Sequence, residues 1–151
     1  MVPSPFYRAN ELRDYYNELT LRFKKDWNVE FRAYNDGIAY RFVSRSKKTF
    51  NVVDETVDYR FPSDMVASVP YVKAGKDGDY ESQYFNSFEN TYTTDRLSKL
   101  NKKRLMFLPL VVDAGEGVKI CITESGLENY PGLYLSAAEG ENRLTGQFAP
   151  Y

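Results

Sequence analysis

Between Asn28 and Arg45 the chain reads NVEFRAYNDGIAYRFVSR. Apolar and polar residues alternate on both sides of Asp36-Gly37. A period of two marks a strand with one face buried. An Asp-Gly pair between two such runs predicts a two-residue type I′ hairpin turn. That turn places Ala33 opposite Tyr40 and Phe31 opposite Phe42, on one face with Val29 and Ile38. The same register sets Arg32 opposite Arg41 on the other face. Like charges directly opposite are unfavourable in a sheet. Either Glu30 and solvent relieve them, or the two arginines meet carboxylates from another strand or domain. Arg32 and Arg41 are therefore interface candidates.

Short strands continue along the chain. Asn17 to Phe23 alternates Leu19, Leu21 and Phe23 against Thr20 and Arg22. The preceding ANELRDYY suits a short helical turn with Asn10 as its cap. Thr49 to Phe61 reads as one long or two short strands around Asp54-Glu55. The stretch from Phe61 to Asn101 is rich in Pro, Gly, Ser and Tyr. It reads as a long surface excursion with a short strand near Tyr84. Leu105 to Val112 is nearly all apolar, as for a strand covered on both faces. Pro109 within it marks an edge or bulge. Gly115-Glu116-Gly117 reads as a turn into Val118 to Thr123. Leu133 to Ser136 and Arg143 to Phe148 complete the set. The pattern predicts an all-β, antiparallel β-sandwich with one or two short helical turns. A length of 151 residues suggests one domain, 1–151.

Composition excludes several chemistries. The chain has no His and a single Cys, Cys121. Triads built on histidine and His-ligated zinc are thereby removed, and so is an internal disulfide. A metal would be held by oxygen, as a hard cation such as calcium or magnesium. The net charge of -1 leaves no basic footprint for nucleic acid. No apolar run reaches membrane-spanning length and no signal peptide is evident. The start, MVPSPFYRAN, fits a piece cut from inside a longer protein.

The stretch CITESGLENYPG, Cys121 to Gly132, carries two glutamates four residues apart. Ser125-Gly126-Leu127-Glu128 matches a capping box, with Ser125 and Glu128 as the reciprocal pair and Pro131 as a stop. Glu128 then has a structural role. Glu124 lies just before the cap, at a strand end near the positive end of the short helix, where the ionised form is favoured. A carboxylate held there suits a hard cation, although calcium takes about six to eight oxygens. A solvated acid is the other reading. Asn129 and Tyr130, in the turn that follows, are interface or substrate-side candidates with the two arginines.

The segments NELTLRF, FRAYNDGIAYRF, LMFLPLVV and GVKICITESGLENYPGLYL resemble, in order, the N-terminal domain of glycoside hydrolase family 97. These enzymes are bacterial α-glucosidases and α-galactosidases. LTGQFAPY resembles the end of that domain, just before the catalytic barrel. The resemblance runs from about Asn10 onward and is loose from Phe61 to Asn101. It implies a β-sandwich of the super-sandwich kind, truncated here, that packs on a (β/α)₈ barrel. It implies that Glu124 ligates an active-site calcium. By this resemblance the barrel and the domain's first strands are expected to lie outside the chain. The implied parent is a calcium-dependent α-glycoside hydrolase acting on α-linked oligosaccharides, periplasmic or secreted. The chain itself has no catalytic residue by this reading and is expected to be inactive. Glycoside hydrolysis requires paired carboxylates, and those belong to the barrel. Missing strands leave open edges, which invite an edge-strand homodimer. Two other readings stand beside this one. A free-standing carbohydrate-binding module would suit a Tyr-rich sandwich, with Trp27 as a stacking platform or a core residue. A plain scaffold would use Arg32 and Arg41 across a domain interface.

Overall fold

The computed structural model describes residues 2–3, 11–140 and 142–150. Expected from its length to form one domain, the chain divides into two compact units, residues 1–51 and 52–151. All sheets are antiparallel, and regular helix is confined to two short turns among the described residues. No helix among those residues is long and apolar enough to cross a membrane.

In the first unit, β1 (Val2–Pro3) pairs with β2 (Glu11–Leu12). Glu11 and Leu12 are therefore extended where a helical turn was expected; its cap, Asn10, lies outside the described residues. Strands β3 (Asn17–Arg22), β4 (Trp27–Ala33) and β5 (Ile38–Ser44) form a three-stranded sheet in sequence order. The hairpin between β4 and β5 differs from the expected one. Its loop has four residues, Tyr34 to Gly37, with the Tyr34 amide donating to the Gly37 carbonyl at 2.8 Å. Neither Asp36 nor Gly37 takes the positive φ that a type I′ turn requires. The register moves by two residues, so Phe31 faces Tyr40 and Ala33 faces Ile38. A shift of two preserves every facing direction, because side chains alternate with a period of two. It changes the partners. Arg41 now lies opposite Glu30, and Arg32 lies between Ala39 and Glu18. The like-charge pair is replaced by two cross-strand ion pairs, each favourable by roughly 0.2–1 kcal/mol. Leu19, Leu21, Val29, Phe31, Ile38, Tyr40 and Phe42 share the opposite, apolar face, on which Ile38 is 80% exposed. Trp27 packs edge-on against Phe50, with ring centroids 5.2 Å apart.

The second unit holds two sheets. One is ordered β10 (Val118–Ile122), β9 (Leu110–Gly115), β7 (Val66–Pro70), β8 (Tyr92–Arg96). The other is ordered β11 (Leu133–Ala137), β12 (Arg143–Phe148), β6 (Asp58–Arg60). Their facing apolar residues form one core. It includes Ala67 and Val69 from β7, Leu110 and Val112 from β9, Leu135 from β11 and Leu144 from β12. Met106 bridges to Tyr71 on one side and to Leu135 on the other. This is a sandwich-like arrangement, as expected from the strand pattern.

Four expectations about its elements differ from the structure. Only Asp58–Arg60 of the Thr49 to Phe61 run is strand. The Phe61 to Asn101 excursion contains the central strand β7, paired with β8 and β9, and it is not purely surface. Near Tyr84 lies a helical turn, α1 (Tyr80–Gln83), rather than a strand; a 3₁₀ turn at Leu97–Lys99 is the second helical piece. Leu105 to Pro109 precedes β9 and is not itself strand, and the Leu108-Pro109 bond is cis. The Gly115-Glu116-Gly117 turn stands as read, with positive φ at all three residues.

Strand β11 is buried along its whole length. Leu133, Leu135 and Ala137 enter the main core. Tyr134 enters a second cluster with Val72, Leu105 and Phe107. A strand covered on both faces is a rigid base for the residues attached to its ends.

Candidate functional site

Strand β10 enters the core at Ile122 and ends there. Glu124 follows two residues later, and the chain returns as β11 at Leu133. The Leu133 amide donates to both carboxylate oxygens of Glu124, at 2.8 and 3.0 Å. Glu124 thus ties the end of one strand to the start of the next and closes residues 125–132 into a loop. Gly132 leaves room beside it: a Cβ there would lie 3.5 Å from Oε1.

Within that loop the expected capping box does not form. Residues 125–132 contain no helical turn. Gly126 has φ +70°, outside the helical region that the first turn would need. The Glu128 amide donates to the Gly126 carbonyl at 2.8 Å, closing a three-residue turn instead. Ser125 and Glu128 are exposed. Glu124 therefore has no helix terminus to stabilise its charge. Burial pushes its carboxyl up from the ordinary range. The Leu133 hydrogen bond opposes this, and the negative charge of Glu55 adds to it.

Glu55 lies in the middle of the Thr49 to Phe61 run, outside any strand. The Tyr130 hydroxyl donates to Glu55 Oε2 at 2.6 Å, and the Tyr130 ring packs edge-on against Phe148. Two carboxylates, Glu124 and Glu55, thus lie at one end of this unit with Tyr130 between loop and sandwich. Asn129, just before Tyr130, has φ +56° and is exposed. Among the described residues no three His, Cys, Asp or Glu side chains converge as a metal site. Two carboxylates fit part of a calcium shell and cannot fill one.

The arginines are elsewhere. Arg32 Nε donates to Glu18 at 2.9 Å, and its guanidinium lies 4.1 Å from the Tyr16 ring centroid. Arg41 Nε donates to Glu30 at 2.7 Å. Both belong to the first unit and have partners in their own sheet.

A second feature adjoins Glu124 through β11. Tyr134 follows Leu133, and its hydroxyl meets the loop after α1. It donates to the Tyr84 carbonyl at 3.4 Å and accepts from Asn86 at 3.3 Å. Burial pushes the Tyr134 phenol up, with the Glu124 charge among the smaller causes. The density of Tyr, Phe and Asn in YFNSFENTY was the signal for this cluster; no periodicity accompanies it.

Comparison with known proteins places the chain in a family. Residues 2–149 match the family described as Glycosyl-hydrolase 97 N-terminal. A protein of Bacteroides thetaiotaomicron, "Retaining alpha-galactosidase", is 81% identical over all 151 residues of this chain. The chain spans 23% of that relative's length. With its all-β fold and a match over nearly its whole length, the chain belongs to the glycosyl-hydrolase 97 N-terminal family.

Proposed function

We propose that this chain is the non-catalytic N-terminal β-sandwich part of an α-galactoside hydrolase, and that Glu124 supplies one ligand to a calcium ion there. The carrying observation is the Glu124 carboxylate itself. It is fixed by a backbone amide, raised by burial and by Glu55, and meets no cationic side chain among the described residues. A bound cation would offset both the desolvation and the repulsion. The remaining ligands come from the rest of the parent, a (β/α)₈ barrel by the family resemblance. Calcium in such a site supplies Lewis-acid stabilisation of charge on the glycosidic oxygen. This chain's part is to hold one carboxylate still: the Leu133 amide orients it, and the Tyr130–Glu55 hydrogen bond ties its loop down. The paired carboxylates of the reaction lie outside the chain. The galactoside reading, with retention of configuration, rests on the Bacteroides relative.

Glu124→Gln in the full-length parent tests this directly. Glutamine keeps an acceptor for the Leu133 amide and removes the charge. Calorimetry should show calcium affinity reduced by about tenfold or more, the loss of one charged ligand. An unchanged affinity sinks the assignment. A carbohydrate-binding module predicts instead that the chain alone binds α-galactosides, which the same calorimeter reads. The open edges β3 and β5 carry the edge-strand dimer, tested by light scattering of the chain alone. Export of the parent to the periplasm or medium belongs to the same reading and is tested by cell fractionation.

A further inference from the structure

The loop after α1 reads YFNSFEN, Tyr84 to Asn90, and it displays two phenylalanines. Phe85 is 84% exposed and Phe88 56%. Phe88 has φ +54°, a conformation costly for a bulky side chain and held only where the surroundings over-determine it. Here they do. The Phe88 amide donates to Asn86 Oδ1 at 2.8 Å. Asn86 Nδ2 reaches the Gln83 carbonyl and the Tyr134 hydroxyl, each at 3.3 Å. The Phe88 ring lies 5.7 Å from Tyr134 and 5.8 Å from Phe107. Asn90 Nδ2 donates to the Tyr71 carbonyl at 2.7 Å. The loop is built, strained and aromatic. Rigid aromatic anchors bind well because little freedom remains to be lost.

A sugar is the weaker occupant. Sugar sites need polar groups converging on the ligand, and the amides of Asn86 and Asn90 are spent inside the protein. An apolar protein socket fits better. Most of the relative's length lies outside this chain, and the Glu124 site is incomplete among the described residues. The loop and Glu124 are joined through adjacent residues of β11, Tyr134 and Leu133.

We propose that Phe85 and Phe88 form a knob that seats in an apolar socket on the remainder of the parent polypeptide, and so sets Glu124 in register with the ligands that remainder supplies. This rests on the reading above that the chain is part of a larger glycosidase.

Hydroxyl-radical footprinting of the full-length parent, without sugar, is the test. Phe85 and Phe88 should be labelled about tenfold less than their exposure here implies, the equivalent of near-complete burial of an aromatic side chain. Labelling at the rate of a free phenylalanine overturns the proposal. Protection that appears only when an α-galactoside is added also overturns it, in favour of a sugar platform. Phe85→Asp in the same protein should weaken calcium binding about tenfold, and Phe85→Leu should restore most of it. If Phe85→Asp leaves calcium affinity unchanged, the knob does not register Glu124. Should Phe85→Asp not fold, footprinting of the unmodified parent still decides. The two readings fail separately. Glu124→Gln with unchanged calcium affinity and a protected Phe85 removes the calcium role alone; reduced affinity with a labelled Phe85 removes the knob alone.

Discussion

Gln83 is fully buried, and its side-chain amide ties together three backbone groups. Its Nε2 donates to the carbonyls of Lys76 and Lys103, at 2.7 and 2.9 Å, and its Oε1 accepts from the Leu105 amide at 2.8 Å. Gln83→Leu keeps the volume and deletes all three bonds. The Leu105 amide belongs to a residue with no exposure and is stranded. An orphaned buried donor costs about 1–3 kcal/mol. Lys76 and Lys103 are exposed residues, so their carbonyls can turn to water. Each then loses only the net value of its bond, about 0.5–1.5 kcal/mol. Leucine returns about 1 kcal/mol through extra apolar burial. The net loss should be about 1–5 kcal/mol, a large share of a typical domain stability of about 5–15 kcal/mol. Urea denaturation of the chain should show a lower midpoint at unchanged slope, and the Leu105 amide should exchange with solvent faster. Gln83→Glu should be worse at neutral pH, because it sets a carboxylate against two carbonyl oxygens, and should recover partly in acid. A Gln83→Leu loss below about 1 kcal/mol would refute the reasoning, because it would mean that the stranded amide had found another partner.

Two further outcomes follow from the same geometry. Glu124 has its folded pKa raised, so it opposes folding when ionised and that penalty is relieved as pH falls through the folded value. Asp64 and Asp113 are held low, by Ser98 and Lys119 respectively, so their support is present above the unfolded value and lost as pH falls through the folded one. Glu124→Gln should therefore make the calcium-free chain lose more stability on acidification than the unmodified chain; parallel stability-against-pH curves would contradict this. Gly146→Ala places a Cβ 2.8 Å from Val57 Cβ and 3.1 Å from Leu133 Cδ1 and should cost about 1–3 kcal/mol by overpacking, whereas Gly132→Ala meets only an ordinary 3.5 Å contact and should be nearly neutral in thermal melts.

The sequence by itself determined which residues share a face. Alternation through NVEFRAYNDGIAYRFVSR put Val29, Phe31, Ile38, Tyr40 and Phe42 on one side, and the structure agrees. It also marked the Gly115-Glu116-Gly117 turn and the end strands, because these signals are local. Register was not local. The two-residue and four-residue loops leave the same facing pattern, and the opposite charges of Glu30 and Arg41 decide between them only once the strands meet. The capping box failed for a related reason: four matching residues offer a cap, but Gly126 takes a left-handed φ and no helix follows. Strand β7 was hidden in a stretch rich in turn-forming residues because its order comes from β8 and β9 on either side. The site divides in the same way. Glu124 was legible as an acid at a strand end. Glu55 was not, because what places it near the site is a hydrogen bond from Tyr130, 75 positions away in sequence. Local pattern sets direction and turn chemistry. Only the folded chain brings distant residues within hydrogen-bonding reach, and in this protein that includes the second carboxylate near Glu124 and the aromatic loop beyond it.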